Sequence, residues 1–423
     1  MKFSSRMAAT SMLMLLILIG SSLTIAQKLN PLIHPGSGST VAPGRTKNVG
    51  TRALGELLYE QTGTDAGAVT SQNFEAANDA NDAQLADDFA IRDAKGWAIG
   101  GVTVDGVTES GLPLPDGVTA NVWFYQDFGN LPEILYCSYD AVPDIEPGDT
   151  SLTLELPTPC ILPILRYWVS VQINLDSTTD LWGWNLISEV KHHGVAFQNP
   201  GGGLGIGCTT WTDFGTCTGI APLDAIFALY AAPTTHLIEN GGFEATSATR
   251  SADTRSAADT RAKVLDPWVL KNGTGDKIKI NTETKTVSHS GAAAFQFKGG
   301  VGENSKLQQV VDLTGLTFNA GDFLIGELWL NASNPTARGK LKVVVSYSDA
   351  DSSKAVEILN PTAGDYFGYP LNPHIELASA NVTKIKIQIK HGSPAGKMYV
   401  DDMTLDWIPG STTAVSGGLI PLP

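Results

Sequence analysis

Apolar and polar residues alternate along most of this chain with the period of two that a half-buried strand requires, and no sustained helical period replaces it. In the first half the pattern predicts short strands at 97–104, 118–125, 150–156, 167–175 and 226–230, each set off by turn residues. In the second half the alternation is clearest at 323–330, 341–347 and 383–390, as antiparallel sheets with one face on a core require. Between the two sets, Ala231-Ala232-Pro233-Thr234-Thr235 reads as a hinge. The expected architecture is all-β: two β-sandwich, jelly-roll-like domains in tandem, at 71–232 and 235–408.

Four further segments fall outside that pattern. Residues 27–70 are rich in Gly, Pro, Ser and Thr and read as a flexible leader, with the first compact domain beginning near Gln72. Residues 248–261 repeat Ser-Ala-Asp-Thr-Arg imperfectly and read as a low-complexity surface insert. Residues 409–423 form a tail. At the start, Lys2 and Arg6 precede an apolar run from Met12 to Gly20, and Thr24 and Ala26 sit at −3 and −1 before Gln27. This is the form of a signal peptide over 1–26, with an uncleaved anchor as the alternative. No other stretch approaches the roughly 20 apolar residues of a membrane span, so no membrane insertion is expected after cleavage.

Charge and cysteines narrow the setting. The formal charge is −15, and loss of Lys2 and Arg6 with the leader takes it to −17, which disfavours nucleic acid and anionic lipid as partners. The four cysteines, Cys137, Cys160, Cys208 and Cys217, are an even set in an exported chain and suggest two disulfides. Cys208 with Cys217 closes a short loop around Trp211, and Cys137 with Cys160 staples neighbouring strands, although spacing alone leaves the connectivity open. Neither pair has the Cys-x-x-Cys spacing of a zinc site, and His192-His193 has no third ligand at a suitable distance.

Two phrases bracket the second domain: Leu237-Ile238-Glu239-Asn240-Gly241-Gly242-Phe243-Glu244 and Met398-Tyr399-Val400-Asp401-Asp402-Met403-Thr404-Leu405. Between them come Asp266-Pro267-Trp268, His289-Ser290-Gly291 leading into an alternating strand, and Leu307-Gln308-Gln309-Val310. In content and order these phrases resemble the galactose-binding-like jelly-roll carbohydrate-binding modules of families 4, 9 and 22. The resemblance covers 235–408, under half of the chain. It implies that the first and last strands meet at a structural calcium ion, with Glu244 and Asp402 as ligands and Asp401 as the alternative acid. Calcium takes six to eight hard oxygen ligands, which suits such a corner. The alternative is that Glu244 caps a turn and Asp401 is solvated.

Sugar recognition needs flat aromatic faces and hydrogen-bonding groups. Tyr366, Phe367 and Tyr369 lie together in a turn-rich segment, Trp329 and Tyr347 lie in strands, and Gln296, Gln308 and Gln388 supply amides. Core packing is the competing role for the strand aromatics, and Trp268 is read as core. In the first domain, Trp182 and Trp184 share one side of a strand and Trp211 stands near the cysteines, either as a platform or as packing around a disulfide. That domain, with Ala86-Asp87-Asp88-Phe89, Tyr167-Trp168-Val169-Ser170-Val171-Gln172 and Gly207-Cys208-Thr209-Thr210-Trp211, resembles an accessory β-sandwich of secreted bacterial proteins, which implies class and location more than function. Asn272, Asn331 and Asn381 open glycosylation sequons, which carry little weight if the chain is bacterial.

No nucleophile, zinc or phosphate-loop motif is present, and nothing marks a carboxylate pair. The expected function is that of a secreted, non-catalytic protein binding a polysaccharide or a glycan-bearing surface. A structural role in an extracellular assembly is the alternative, with a polysaccharide-active hydrolase or lyase behind it.

Overall fold

The computed structural model describes residues 54–244, 265–333 and 338–410, together with the backbone of two short strands, Ile33–His34 and Thr40–Val41. The signal peptide expected at 1–26, the insert expected at 248–261 and residues 411–423 of the expected tail lie outside the described residues. The fold is all-β, with a single short α-helix, Phe214–Thr218, among the described residues. No helix among them is long and apolar enough to cross a membrane.

In the first sandwich, one sheet runs in the order Leu131–Pro143, Thr119–Phe128, Arg166–Asn174, Gln84–Ala90, Ala196–Gln198 and Thr212–Asp213. Facing it are Leu152–Leu162, Trp97–Val104, Phe227–Ala231 and Leu57–Gln61, and a third sheet, of six strands, joins Gly63–Thr70 to Trp182–Ile187. Alternation sets the core: Ala120, Val122 and Phe124 point inward from one strand and Val102, Val104 and Leu154 meet them from others. The strand Arg166–Asn174 is buried on both faces, because Trp168 on its far side is covered by Ala86 and Ala196, with Tyr125 and Trp211 packed against them.

The leader is a correction. Residues 57–70 form two strands of this sandwich, with Gln61, Ala68 and Val69 fully buried. Their small residues reflect close packing: a Cβ added to Gly183 would stand 3.0 Å from the Ala68 Cβ, so the Gly-Ala composition answers a tight strand contact. Both disulfides form, Cys137 to Cys160 and Cys208 to Cys217, and the first ties the two main sheets together. Trp182 and Trp184 are core, their indole N–H groups donating to the carbonyls of Thr150 and Ile226.

In the second sandwich, one sheet runs Lys277–Ile280, Ala293–Lys298, Lys397–Ile408, Phe323–Ala332 and Phe367–Pro370. The other runs Val269–Lys271, Lys306–Val310, Val382–His391, Gly339–Tyr347 and Ser353–Leu359. Phe295, Phe297, Leu328, Leu330 and Val400 meet Leu341, Val343, Ile385 and Ile387 in the core between them. The Leu237 amide donates to the Leu405 carbonyl at 2.8 Å and the Met403 amide to the Gly241 carbonyl at 3.1 Å, so the two bracketing phrases do meet. The connection from the first sandwich is three residues long, 232–234, and Ala98, Ile161 and Ala232 pack against Ile325 and Ile408 across it.

A buried acidic group sits inside the first sandwich. Asp87 accepts from Gln61 Nε2 at 2.6 Å and from the Ala225 amide at 2.5 Å, while Asp224 accepts from the Lys191 amide at 2.7 Å. Burial, with the neighbouring acids, raises the pKa of Asp87, and burial pushes Asp224 up to about 7. Acids that titrate higher in the folded chain than in the unfolded one stabilise it fully below about pH 4, and that contribution is lost as the pH rises through about 7. The first sandwich is therefore expected to melt at a lower temperature at pH 8 than at pH 5, with Asp224→Asn flattening the dependence. Identical melting at both pH values in the unaltered protein would refute the buried protonation.

Candidate functional site

The corner where the chain ends of the second sandwich meet gathers all three acids expected there. Asp401 is fully buried and its Oδ2 accepts from the His289 amide at 2.7 Å, while its Oδ1 accepts from the Asp402 amide at 2.9 Å. Asp402, at φ 44°, accepts from Ser290 Oγ at 2.9 Å and lies 2.8 Å from His289 Nδ1. Glu244 accepts from the amides of Ala292 and Ala293 at 2.9 and 3.1 Å. The His289-Ser290-Gly291 turn is thus held from below by carboxylates of both bracketing strands. Burial, then the charge of Asp402, pushes the Asp401 carboxyl up to about 7.

These acids fit the chemistry of a hard cation in part. Gly242 has no side chain, and a Cβ there would lie 3.3 Å from Asp402 Oδ1, 3.7 Å from Glu244 Cγ and 3.9 Å from Asp401 Oδ1, so the space the three side chains surround is kept by a glycine. In the present arrangement their oxygens are engaged by N–H and O–H donors. Among the described residues no group of three or more His, Cys, Asp or Glu side chains stands at metal-cage spacing.

Next to this corner, the outer face of the sheet carries Gln296, Trp329 and Tyr366 of the other expected residues. Side chains at alternate positions point away from the core. Register then sets rows across the strands: Gln296, Tyr399 and Asn331; Asp401 and Trp329; Thr404 and Glu327; Asp406 and Ile325. His289 stacks on Trp329 at 3.8 Å and 10°, and Tyr366 leans on His289 at 5.5 Å and donates its hydroxyl to the Val287 carbonyl. Burial, with the charge of Asp401, raises the Tyr366 pKa.

On this one face Gln296 Oε1, Glu327 Oε2 and Thr404 Oγ1 are buried without a hydrogen-bond partner. Such groups carry a desolvation cost of about 1–3 kcal/mol each unless a partner arrives. Burial and then Asp93 raise the Glu327 pKa, with Lys95 opposing them. The first sandwich covers the lower rows: Lys95 lies 3.7 Å from Asp406, which His236 of the second sandwich also contacts, and Ala94 sits where a side chain on Gly368 would be.

Five expected residues are placed elsewhere. Tyr347 belongs to the opposite sheet, buried in the core, with its hydroxyl donating to Ser353 and accepting from the Ala378 amide. Tyr369 pairs with Leu328 and packs on the core rim, and Phe367 pairs with Leu330 and is exposed at the sheet edge, so both alternate away from Trp329. Gln308 and Gln388 pair with each other on the second sheet. Sequence reasoning missed Tyr399, Glu327, Thr404 and His289. Glu327 was discoverable as the one ionisable residue in Phe323–Ala332, and Tyr399 by alternation with Met398 and Val400.

No family model matches this chain, and no curated protein matches it. Solved structures similar to part of it include a family 61 carbohydrate-binding module in complex with β-1,4-galactotriose, at 19% identity over 40% of this chain and 97% of that one, TM-score 0.27. A family 22 module of Clostridium thermocellum Xyn10B matches at 8% identity over 42% of this chain and 96% of that one, TM-score 0.27. A Stig cyclase from Fischerella sp. TAU matches at 12% identity over 42% and 99%, TM-score 0.30. Carbohydrate-binding modules and an enzyme stand side by side at this level of likeness, so what the second sandwich does rests on the chemistry of its own face.

Glu244→Ala leaves the amides of Ala292 and Ala293 without their acceptor, and the second sandwich is expected to lose about 1–3 kcal/mol in denaturant unfolding. An unchanged midpoint would show that the corner does not depend on this carboxylate.

Proposed function

We propose that the second sandwich is a non-catalytic carbohydrate-binding module and that the protein is secreted to act on a polysaccharide or glycan-bearing surface. The observation that carries this reading is the alignment of three unpartnered polar atoms, on Gln296, Glu327 and Thr404, beside Trp329, Tyr399 and Tyr366 on one sheet face. Aromatic faces take the C–H face of a sugar ring, and the Gln296 amide oxygen and the Thr404 hydroxyl gain from its hydroxyls the partners they lack, while Glu327, already bonded to Trp329 and the Lys95 backbone, has one further oxygen to offer. A reversible complex needs nothing more. The acids Glu244, Asp401 and Asp402 are occupied in holding a turn, which supports a binding rather than a hydrolytic role. The two disulfides support an oxidising compartment, in keeping with the signal-peptide form of residues 1–26.

Calcium is part of this proposal. Its ligands would come from Glu244, Asp401 and Asp402, and its role would be to offset the gathered negative charge and clamp the two bracketing strands. Calcium is expected to raise the melting temperature of the second sandwich and a chelator to lower it. A midpoint indifferent to both would leave hydrogen bonds alone holding the corner.

The functional test is retention of the full chain on a panel of insoluble polysaccharides and arrayed glycans. Truncating a central aromatic of a binding face costs about 2 kcal/mol, roughly a 30-fold weakening. Trp329→Ala and Tyr399→Ala, each checked for native circular dichroism, are expected to weaken retention to that extent. Retention untouched by both would remove the face from consideration, and no retention by the folded protein would favour a structural role in an extracellular assembly.

A further inference from the structure

A groove of about 630 Å³ opens on the first sandwich, walled by Trp211, His192, His193, Asn130 and Asp213. Trp211 lies in the loop closed by Cys208 and Cys217 and meets Tyr125 edge-on at 5.6 Å and 72°, so its position is fixed covalently and by packing. Asp213 caps the short helix through Oδ1, which accepts from the Thr216 amide at 2.7 Å and its hydroxyl at 2.9 Å, leaving Oδ2 as an acceptor. Asn130 stands at the tip of the hairpin between Thr119–Phe128 and Leu131–Pro143.

His193 is set from behind. Asp88, 1% exposed, accepts from the His193 amide at 3.2 Å and lies 3.4 Å from Arg166 Nε. The Arg166 guanidinium also contacts His193 Nε2. A guanidinium only donates, so Nε2 is the acceptor and the proton of the neutral ring sits on Nδ1. The buried carboxylate therefore fixes the arginine, and the arginine fixes which nitrogen of His193 donates. Burial also holds the His192 pKa below the usual imidazole value.

The wall thus offers a flat indole, a neutral imidazole donor, an amide that donates and accepts, and a carboxylate acceptor. Arg166 stands behind it, opposed by Asp88, and Arg92 adds a second positive charge near His192. From this we infer that the groove is a second saccharide site, taking a single uncharged sugar ring against Trp211. The site is independent of the face on the second sandwich. Two sites on one chain raise the retention of a polymer by making the second contact intramolecular.

Ligand-observed saturation-transfer NMR on the full chain tests this, with glucose, galactose, mannose, xylose and N-acetylglucosamine as probes. Trp329→Ala serves as the background, so that failure of the first site and of this one are read separately. At least one of the five sugars is expected to show transfer from the Trp329→Ala chain. Adding Trp211→Ala, or Asn130→Gly, is expected to reduce that transfer about fivefold or more. Asn130 sits at φ 65°, which glycine adopts without strain, so this variant decides the matter if Trp211→Ala disturbs the fold. Transfer that ignores both substitutions, or no transfer from the Trp329→Ala chain with any of the five sugars, overturns the inference.

Discussion

The position of the strand Lys397–Ile408 in the middle of its sheet is the constraint on which the second sandwich depends. It pairs with Ala293–Lys298 on one side and Phe323–Ala332 on the other, and Thr235–His236 joins its far end. Inward it supplies Met398, Val400 and Leu405 to the core, and outward it supplies Tyr399, Thr404 and Asp406 to the face. Between these it carries Asp401 and Asp402, where the register with Phe323–Ala332 shifts and Asp402 turns to positive φ. That local irregularity re-aims two carboxylates at the His289 turn, as bulges commonly do beside functional sites. Core, corner and face are therefore consequences of one strand.

The first sandwich bears on that face from its lower end. Apolar contact through Ala98, Ile161, Ile325 and Ile408, with Lys95 against Asp406, seats it there. Glu327 lies between the covered rows and the open ones, which is why its environment combines burial with the charges of Asp93 and Lys95 from the first sandwich. The open part of the face is accordingly the end nearest Gln296, Tyr399 and the Trp329 stack.

Strand alternation made the all-β class and the tandem arrangement legible in the sequence, because period two is imposed by the pleat itself, whereas the meeting of the bracketing phrases was implied by the resemblance alone. The same alternation, applied strictly, separates Trp329 from Tyr369 and Phe367 across the sheet, but only once the pairing partner of 367–370 is known. Tyr347 was misplaced because an aromatic at a strand end reads alike from either sheet. Residues 57–70 were mistaken for leader because small residues signal flexibility in composition and tight packing in three dimensions, and only the partner strand tells which. His289 was hidden because its role comes from stacking on a residue forty positions away.

A sheet whose central strand comes last in the chain has a consequence for biogenesis. While the polypeptide emerges, the first sandwich has all its strands by residue 231 and can fold as a unit. The strands Ala293–Lys298 and Phe323–Ala332 have no mutual pairing and wait, edges open, until residue 408 has appeared. The outer face of the second sandwich, built across these three strands, can therefore form only after its central strand has been made.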